Sequence, residues 1–456
     1  MMTGERRQDR GRNPIPMNVD RASADPRGHW VALGAVTLAG EGWNTEVSSV
    51  GFTHSTGRTG YGQHVKPYVA HILNHFLGVQ IMSSKELSVK FWQGNKACAE
   101  GAISAGCRFF SGYPITPASE IAEIMSERLP EEGGVYLQME DEIGAISAII
   151  GASWGGRMSM TATSGPGFSL MQENLGYAMM TETPCVLVDV QRAGPSTGQA
   201  TKAAQGDLMQ SRWGTHGDHE SIVLAPNSAQ EMYELTIRAF EIAEKVRHPV
   251  IVLSDEVVAH SRERVQIDNT IDRRVSRKIA KKGVLPYGEV DDTGHSIMPR
   301  FGDGHKLLIT GSTHDREGFR ETANPEVHDD LVRRITMKIK DSSEFLKDVI
   351  ISGPETAEWG IISFGCTSRT VEQVMAENGE QVSMKSLRLR TVWPFPDDEM
   401  LEFASTVEHL LVPELNLGQL SREVSRAVKG VVDVVPLRKI GGGRVIEPSE
   451  IVDIVS

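Results

Sequence analysis

The sequence holds few cysteines: Cys98, Cys107, Cys185 and Cys366 are widely spaced and include no C-x-x-C pair. Zinc knuckles and cubane clusters need clustered thiolates, so neither can be assembled from this chain alone. No apolar run approaches 18 residues, and Arg6, Arg7, Arg10 and Arg12 are not followed by an apolar h-region, so neither a membrane span nor a signal peptide is expected. Basic charge is scarce as well: 47 Lys and Arg stand against 60 Asp and Glu, a net charge of -13. That balance speaks against nucleic-acid and membrane partners and for a cytoplasmic protein.

What is abundant is glycine, 45 copies in 456 residues, as expected where many tight turns join strands to helices. The length suits two or three domains. Residues 1–81 carry five of the fourteen histidines (His29, His54, His64, His71 and His75) and little periodicity, so they receive no fold and read as an extension or disordered arm; a fresh start is expected near Met82. From about residue 93, apolar strands alternate with helical patterns, the mark of a parallel sheet covered on both faces. Strands are expected at 108–111, 135–138, 158–163, 185–190, 221–224 and 250–254. Ser228 with Glu231 three residues on is a capping box that opens a helix over 229–246. This α/β unit spans 88–262. A charged, Gly- and Pro-rich connecting segment covers 263–355. A second α/β unit, 356–456, opens with the buried strand 359–365, followed by a helix to 378 and strands at 386–389, 409–412 and 432–435.

Three turns of the first unit lie where strands end and helices begin, the place where open α/β sheets bind ligands. In Gly112-Tyr113-Pro114-Ile115-Thr116-Pro117-Ala118-Ser119-Glu120, Thr116 has the chemistry of an N-cap with Pro117 behind it. A helix N-terminus here would also favour a docked carboxylate. In the acidic run 140–142, Glu142 shares a helix face with Ile146 and Ile149, whereas Glu140 lies over Gly144 and Ser147. Glu142 is therefore the acid expected to be buried, and desolvation by isoleucines suits a proton donor to a nitrogen heterocycle. The bland alternative is that such acids complement the helix dipole. Thr163-Ser164-Gly165-Pro166-Gly167 is a small-residue turn, and Arg192 leaves the same sheet edge as a fork able to grip a carboxylate. Gly302-Asp303-Gly304 imitates a metal and diphosphate motif but precedes an expected strand at 307–311, so it reads as a turn.

Taken in order, these motifs, with 161–172, 189–198, Gln205-Gly206-Asp207 and 413–420, resemble the alpha subunits of 2-oxoacid:ferredoxin oxidoreductases, most closely the 2-oxoglutarate type, over about 88–456. The resemblance implies a thiamine-diphosphate-binding-fold pyrimidine domain followed by a transketolase C-terminal-like domain. It implies that Glu142 contacts N1′ of the aminopyrimidine, that Tyr113, Pro114, Ile115, Ser164 and Gly165 line the cofactor, and that Thr116 and Arg192 hold the 2-oxoacid, displacing the cap reading of Thr116. It further implies a beta subunit supplying Mg2+, the diphosphate grip and a [4Fe-4S] cluster, with coenzyme A as co-substrate and ferredoxin as acceptor. Residues 1–81 lie outside the resemblance and do not resemble the family's gamma domain. The alternatives are pyruvate, branched-chain or aryl 2-oxoacids as substrate, or a non-catalytic scaffold subunit.

Overall fold

The computed structural model describes residues 87–456 apart from residue 380, with four two-residue strands before them, Ser23–Ala24, Trp30–Val31, Val36–Thr37 and Glu46–Val47. The expected start near Met82 and the five N-terminal histidines lie outside the described residues.

The first α/β unit runs through β1 (Leu87–Gln93), α1 (Gly94–Ala105), β2 (Phe109–Gly112), α2 (Ser119–Glu131), β3 (Val135–Gln138), α3 (Glu142–Trp154), β4 (Ser159–Thr163) and α4 (Gly165–Met180). It continues through β5 (Cys185–Gln191), α5 (Leu208–Trp213), β6 (Ile222–Leu224), α6 (Ala229–Val246), β7 (Pro249–Asp255) and α7 (Glu256–His260). The connecting segment contributes β8 (Arg262–Asp268), α8 (Pro325–Lys340) and α9 (Ser343–Leu346). The second unit, expected from 356, takes in a strand of the connecting segment and follows as β9 (Val349–Ser352), β10 (Ala357–Ser363), α10 (Thr367–Asn378), β11 (Met384–Leu389), β12 (Thr391–Trp393), α11 (Asp397–Ala404), β13 (Val407–Glu414), α12 (Gln419–Val428), β14 (Asp433–Arg438) and α13 (Pro448–Val455).

Seven strands form the main sheet in the order β12-β6-β7-β5-β4-β2-β3, parallel except at β12. Its centre shows why the sequence reads as unbroken apolar runs. Along β5, Val186, Val188 and Val190 enter one apolar cluster with side chains of α1, α2 and α6, while Cys185 and Leu187 enter another with α3 and α4. Both faces are buried, so neither parity can be polar. Helix α6 starts at its expected cap, with Ser228 Oγ accepting from the Glu231 N–H at 3.3 Å, but the box is not closed: the Glu231 carboxylate accepts from the Asn227 N–H at 3.0 Å instead of from that of Ser228. A second sheet, β9-β11-β10-β13-β14, is parallel except at β9.

Three further features depart from the sequence reading. The connecting segment opens as a strand: β8 pairs antiparallel with β1 from Arg262↔Gln93 to Asp268↔Leu87. The second unit lends β12 to the edge of the first sheet, where Trp393 pairs with Val223 and its Nε1 donates to Leu208 O at 3.2 Å. Residues 307–311 are no strand; Leu308 is exposed, and Ile309 O accepts from the Tyr177 hydroxyl at 3.4 Å rather than from a neighbouring strand.

Candidate active site

Because β2, β3, β4 and β5 are parallel, their carboxyl ends deliver the turns 113–118, 139–141, 164–167 and 192–207 to one edge of the sheet. Glu142 is the first residue of α3. Asp141 caps that helix, its Oδ1 accepting from the Gly144 N–H at 2.8 Å, which leaves Glu142 free of capping duty. Glu142 is 5% exposed and shares its face with the fully buried Ile146 and Ile149, whereas Glu140 is exposed. No described residue donates a hydrogen bond to the Glu142 carboxylate. A Cβ at residue 167 would overlap Glu142 Oε1 and Thr163 Oγ1, so glycine there is what lets the carboxylate lie against the start of α4. Ser164, the N-cap of α4, is fully buried and its hydroxyl has no partner among the described residues; Gly165 follows as the first helical residue. The unbonded carboxylate of the buried residue Glu142, the glycine that clears space beside it and the orphaned buried hydroxyl of Ser164 at a helix N-terminus thus lie together at this edge.

Thr116 does not cap a helix. Helix α2 starts at Ser119 with Ala118 at its N-cap, so Thr116 belongs to the preceding loop and its hydroxyl carries no capping hydrogen bond. Arg192 instead reaches that loop: its Nη1 donates to Thr116 O at 2.6 Å and its Nη2 to Thr197 O at 2.8 Å. Its Nε is buried without a partner. The structure thus brings the two expected substrate residues together, through the backbone carbonyl of Thr116. Tyr113 and Pro114 are exposed and Ile115 half-buried in the same loop.

Two carboxyls that sequence reasoning did not single out stand in this edge. Asp189, fully buried on β5, faces Asp207, and burial together with the neighbouring carboxyl raises the proton affinity of Asp189. Burial pushes Asp207 up to about 6, with the Asp189 hydrogen bond and the Arg192 charge working in the opposite direction. Asp207 is placed by a loop gripped from two sides. Gln191 Oε1 accepts from the Asp207 N–H at 3.1 Å. From the second unit, Leu415 N and the Thr367 hydroxyl donate to Gln205 Oε1, Asn416 Nδ2 donates to Gln205 O, and Gln419 Nε2 donates to Gly206 O. Motifs 205–207 and 413–420, far apart in sequence, are two sides of one joint. Their presence in one chain was the only signal that pointed here.

Among the described residues, no group of three or more His, Cys, Asp or Glu could hold a metal ion, and all four cysteines are buried thiols. No described helix is long and apolar enough to cross a membrane. A cavity of about 480 Å³ in the second unit, lined by Val371, Glu372, Met375, Ser386 and Arg388 among others, contains none of the expected site residues.

Residues 100–334 match the family model described as pyruvate flavodoxin/ferredoxin oxidoreductase, thiamine diphosphate-binding, and residues 357–451 match pyruvate:ferredoxin oxidoreductase core domain II. The chain is 51% identical to 2-oxoglutarate synthase subunit KorA of Methanothermobacter marburgensis, over 80% of this chain and 97% of that one. It is 52% identical to the protein of the same name from Methanocaldococcus jannaschii, over 78% and 96% of the two chains. A solved structure of 2-oxoglutarate:ferredoxin oxidoreductase from Magnetococcus marinus, with 2-oxoglutarate, coenzyme A and succinyl-CoA bound, is 36% identical and superposes with a TM-score of 0.73 over 81% of this chain and 65% of that one. The motifs, the folded edge that carries them and these likenesses converge: the chain belongs to the 2-oxoacid:ferredoxin oxidoreductases, as an alpha subunit.

Proposed function

We propose that this chain is the alpha subunit of a cytoplasmic complex that oxidatively decarboxylates 2-oxoglutarate to succinyl-CoA and passes the electrons to ferredoxin. The observation that carries the reading is Glu142, a residue buried at the carboxyl edge of a parallel sheet whose carboxylate accepts no hydrogen bond from any described residue. Thiamine diphosphate, when bound, supplies the nucleophilic carbon that adds to the 2-oxo group and the electron sink that decarboxylation needs. The chain's own residues do the rest of the work assigned to this half-site. Glu142 holds a proton at N1′ of the aminopyrimidine. Ser164 and Gly165, with the loop of Tyr113, Pro114 and Ile115, frame the ring and keep water from it. Arg192 and Thr116 orient the 2-oxoacid, the guanidinium taking the carboxylate while its backbone hydrogen bonds keep it aimed.

The metal, the diphosphate grip and the iron–sulfur cluster are assigned to a beta subunit, because the described residues offer neither clustered acids nor paired thiolates for them. Preference for 2-oxoglutarate rests on the relatives that bear that name at about half identity. The test is turnover of the isolated chain and of the chain reconstituted with its beta subunit, across 2-oxoglutarate, pyruvate, branched-chain and aryl 2-oxoacids, with coenzyme A and a low-potential acceptor. The chain alone is expected to be inactive and the complex fastest on 2-oxoglutarate. Activity without a partner sinks the half-site reading, and a faster rate on another 2-oxoacid reassigns the substrate.

A further inference from the structure

We propose that Asp189 and Asp207 share a single proton, and that this pair is a positioning group that sets the charge beside Arg192 and the Ser164–Gly165 turn. The geometry carries the idea. No donor among the described residues reaches either oxygen of Asp189, nor Asp207 Oδ2, although these oxygens are closed to solvent. Two ionised carboxylates in such a site would each lack a donor and repel the other; one proton between them removes both penalties.

Where the proton sits follows from what each acid faces. Asp189 lies on the face of β5 that also carries Leu187 and Cys185, and among the described residues the charged group it meets is Asp207. Asp207 meets Asp189 and the Arg192 charge, and its Oδ2 lies 3.1 Å from where a Cβ on Gly165 would stand, at the N-terminus of the 16-residue helix α4. A guanidinium and a helix N-terminus both favour the ionised form. The proton therefore resides on Asp189, which donates, and the negative charge on Asp207, which accepts. The next acid along the sheet, Asp255 on β7, is taken up elsewhere, its oxygens accepting from Val258 N at 3.0 Å and Cys366 N at 2.8 Å. It does not enter the pair.

The consequence falls on the substrate, and in this it rests on the proposed role of Arg192. With one proton, the pair presents one negative charge against the guanidinium. Without it, a second negative charge appears in the same buried space and competes with the anionic substrate for Arg192. KM for the 2-oxoacid should then climb as pH rises through the loss of that proton, by roughly tenfold per unit of pH in the titrating range, while kcat moves less. Asp189→Asn supplies a donor that cannot be titrated away, so its KM should stay flat where the wild type climbs.

The experiment pairs two readouts. KM and kcat for 2-oxoglutarate are measured against pH in the complex reconstituted with the beta subunit, for wild type and Asp189→Asn. In parallel, the infrared difference spectrum between the two full-length chains at neutral pH, without partner or cofactor, is read for the carbonyl band of a protonated carboxyl. The band and a flattened KM profile are expected. An unchanged KM profile in Asp189→Asn, or no carboxyl band lost, overturns the proposal. If Asp189→Asn does not fold, Asp207→Asn is read in the same two ways, since it too breaks the pair. A complex that turns over no 2-oxoacid refutes the proposed function instead, and the infrared difference on the chain alone still decides the pair.

Discussion

Two buried glutamates of this chain sit at helix ends and have opposite surroundings. Glu142 opens α3, and no described residue donates to its carboxylate. Glu182, just past the end of α4, is 3% exposed and enclosed by cations: Lys338 Nζ at 2.8 Å and Arg334 Nε at 3.1 Å, both from α8, with the Arg247 charge nearby. Those cations hold the Glu182 carboxyl far below the usual carboxylate range despite its burial. A buried charge that is fully paired within the chain joins the connecting segment to the first unit. A buried carboxylate left unpaired is available to something the chain does not itself contain. Under the proposed function this contrast, and not burial, which is common to both, separates the structural acid from the functional one.

The largest effects should pull the two apart. Glu142→Gln keeps shape and volume but cannot hold the proton at N1′, so turnover of the reconstituted complex should fall by roughly 10²–10⁴, while the chain's thermal midpoint stays near that of wild type. Glu182→Ala should do the reverse. It leaves Lys338, Arg334 and Arg247 buried together without their anion, a loss of about 3–5 kcal/mol in a denaturant unfolding experiment. The fraction that remains folded should turn over at the wild-type rate. If Glu142→Gln lowers stability as much as activity, or Glu182→Ala slows the folded complex, the distinction between the two acids collapses.

A smaller effect is expected at Arg192. Arg192→Lys retains the charge but loses the fork that holds Thr116 O and Thr197 O at once. KM for the 2-oxoacid should rise by roughly tenfold to a hundredfold, the loss of a charge-assisted hydrogen bond, with a weaker effect on kcat. A change confined to kcat in steady-state kinetics would place Arg192 away from the substrate carboxylate.

Much of this was legible before the structure, for reasons that are local. Helix α6 announced itself through the Ser228–Glu231 box, and the inner strands through runs such as Val186 to Val190 that bury both faces. The burial of Glu142 was legible in periodicity, since only one register of the acidic run lies over Ile146 and Ile149. What escaped was non-local. Thr116 and Pro117 carry the chemistry of a helix start, yet α2 begins at Ser119 and Arg192 holds Thr116's carbonyl in the loop. Residues 307–311 have strand composition but no strand beside them. The pairing of β12 with β6, and of Gln205 with Asn416, joins segments whose sequences say nothing of each other. Asp189 and Asp207 stand in two separate motifs, and nothing in either says that their carboxyls face one another.

The smallest expected effect tests that same comparison through the pH dependence of stability, where the two kinds of site carry opposite signs. Glu182 has a depressed proton affinity in the folded state, so its contribution is complete above the ordinary carboxylate range and is lost only as pH falls well into acid. Asp189, which holds the proton of the acid pair, has a raised affinity, because burial and the neighbouring Asp207 carboxyl both disfavour its ionised form. The folded chain therefore binds that proton more tightly than the unfolded chain does. Its contribution is complete below the unfolded aspartate value, near pH 4, and is lost as pH climbs through the raised folded one. Thermal midpoints measured across pH 4–8 should thus decline on the alkaline side more in the wild type than in Asp189→Asn, whereas Glu182→Gln should lower the midpoint throughout that window without altering its slope. Equal slopes in wild type and Asp189→Asn would mean that the acid pair holds no proton the unfolded chain would release, and the paired and unpaired acids would then differ in burial alone.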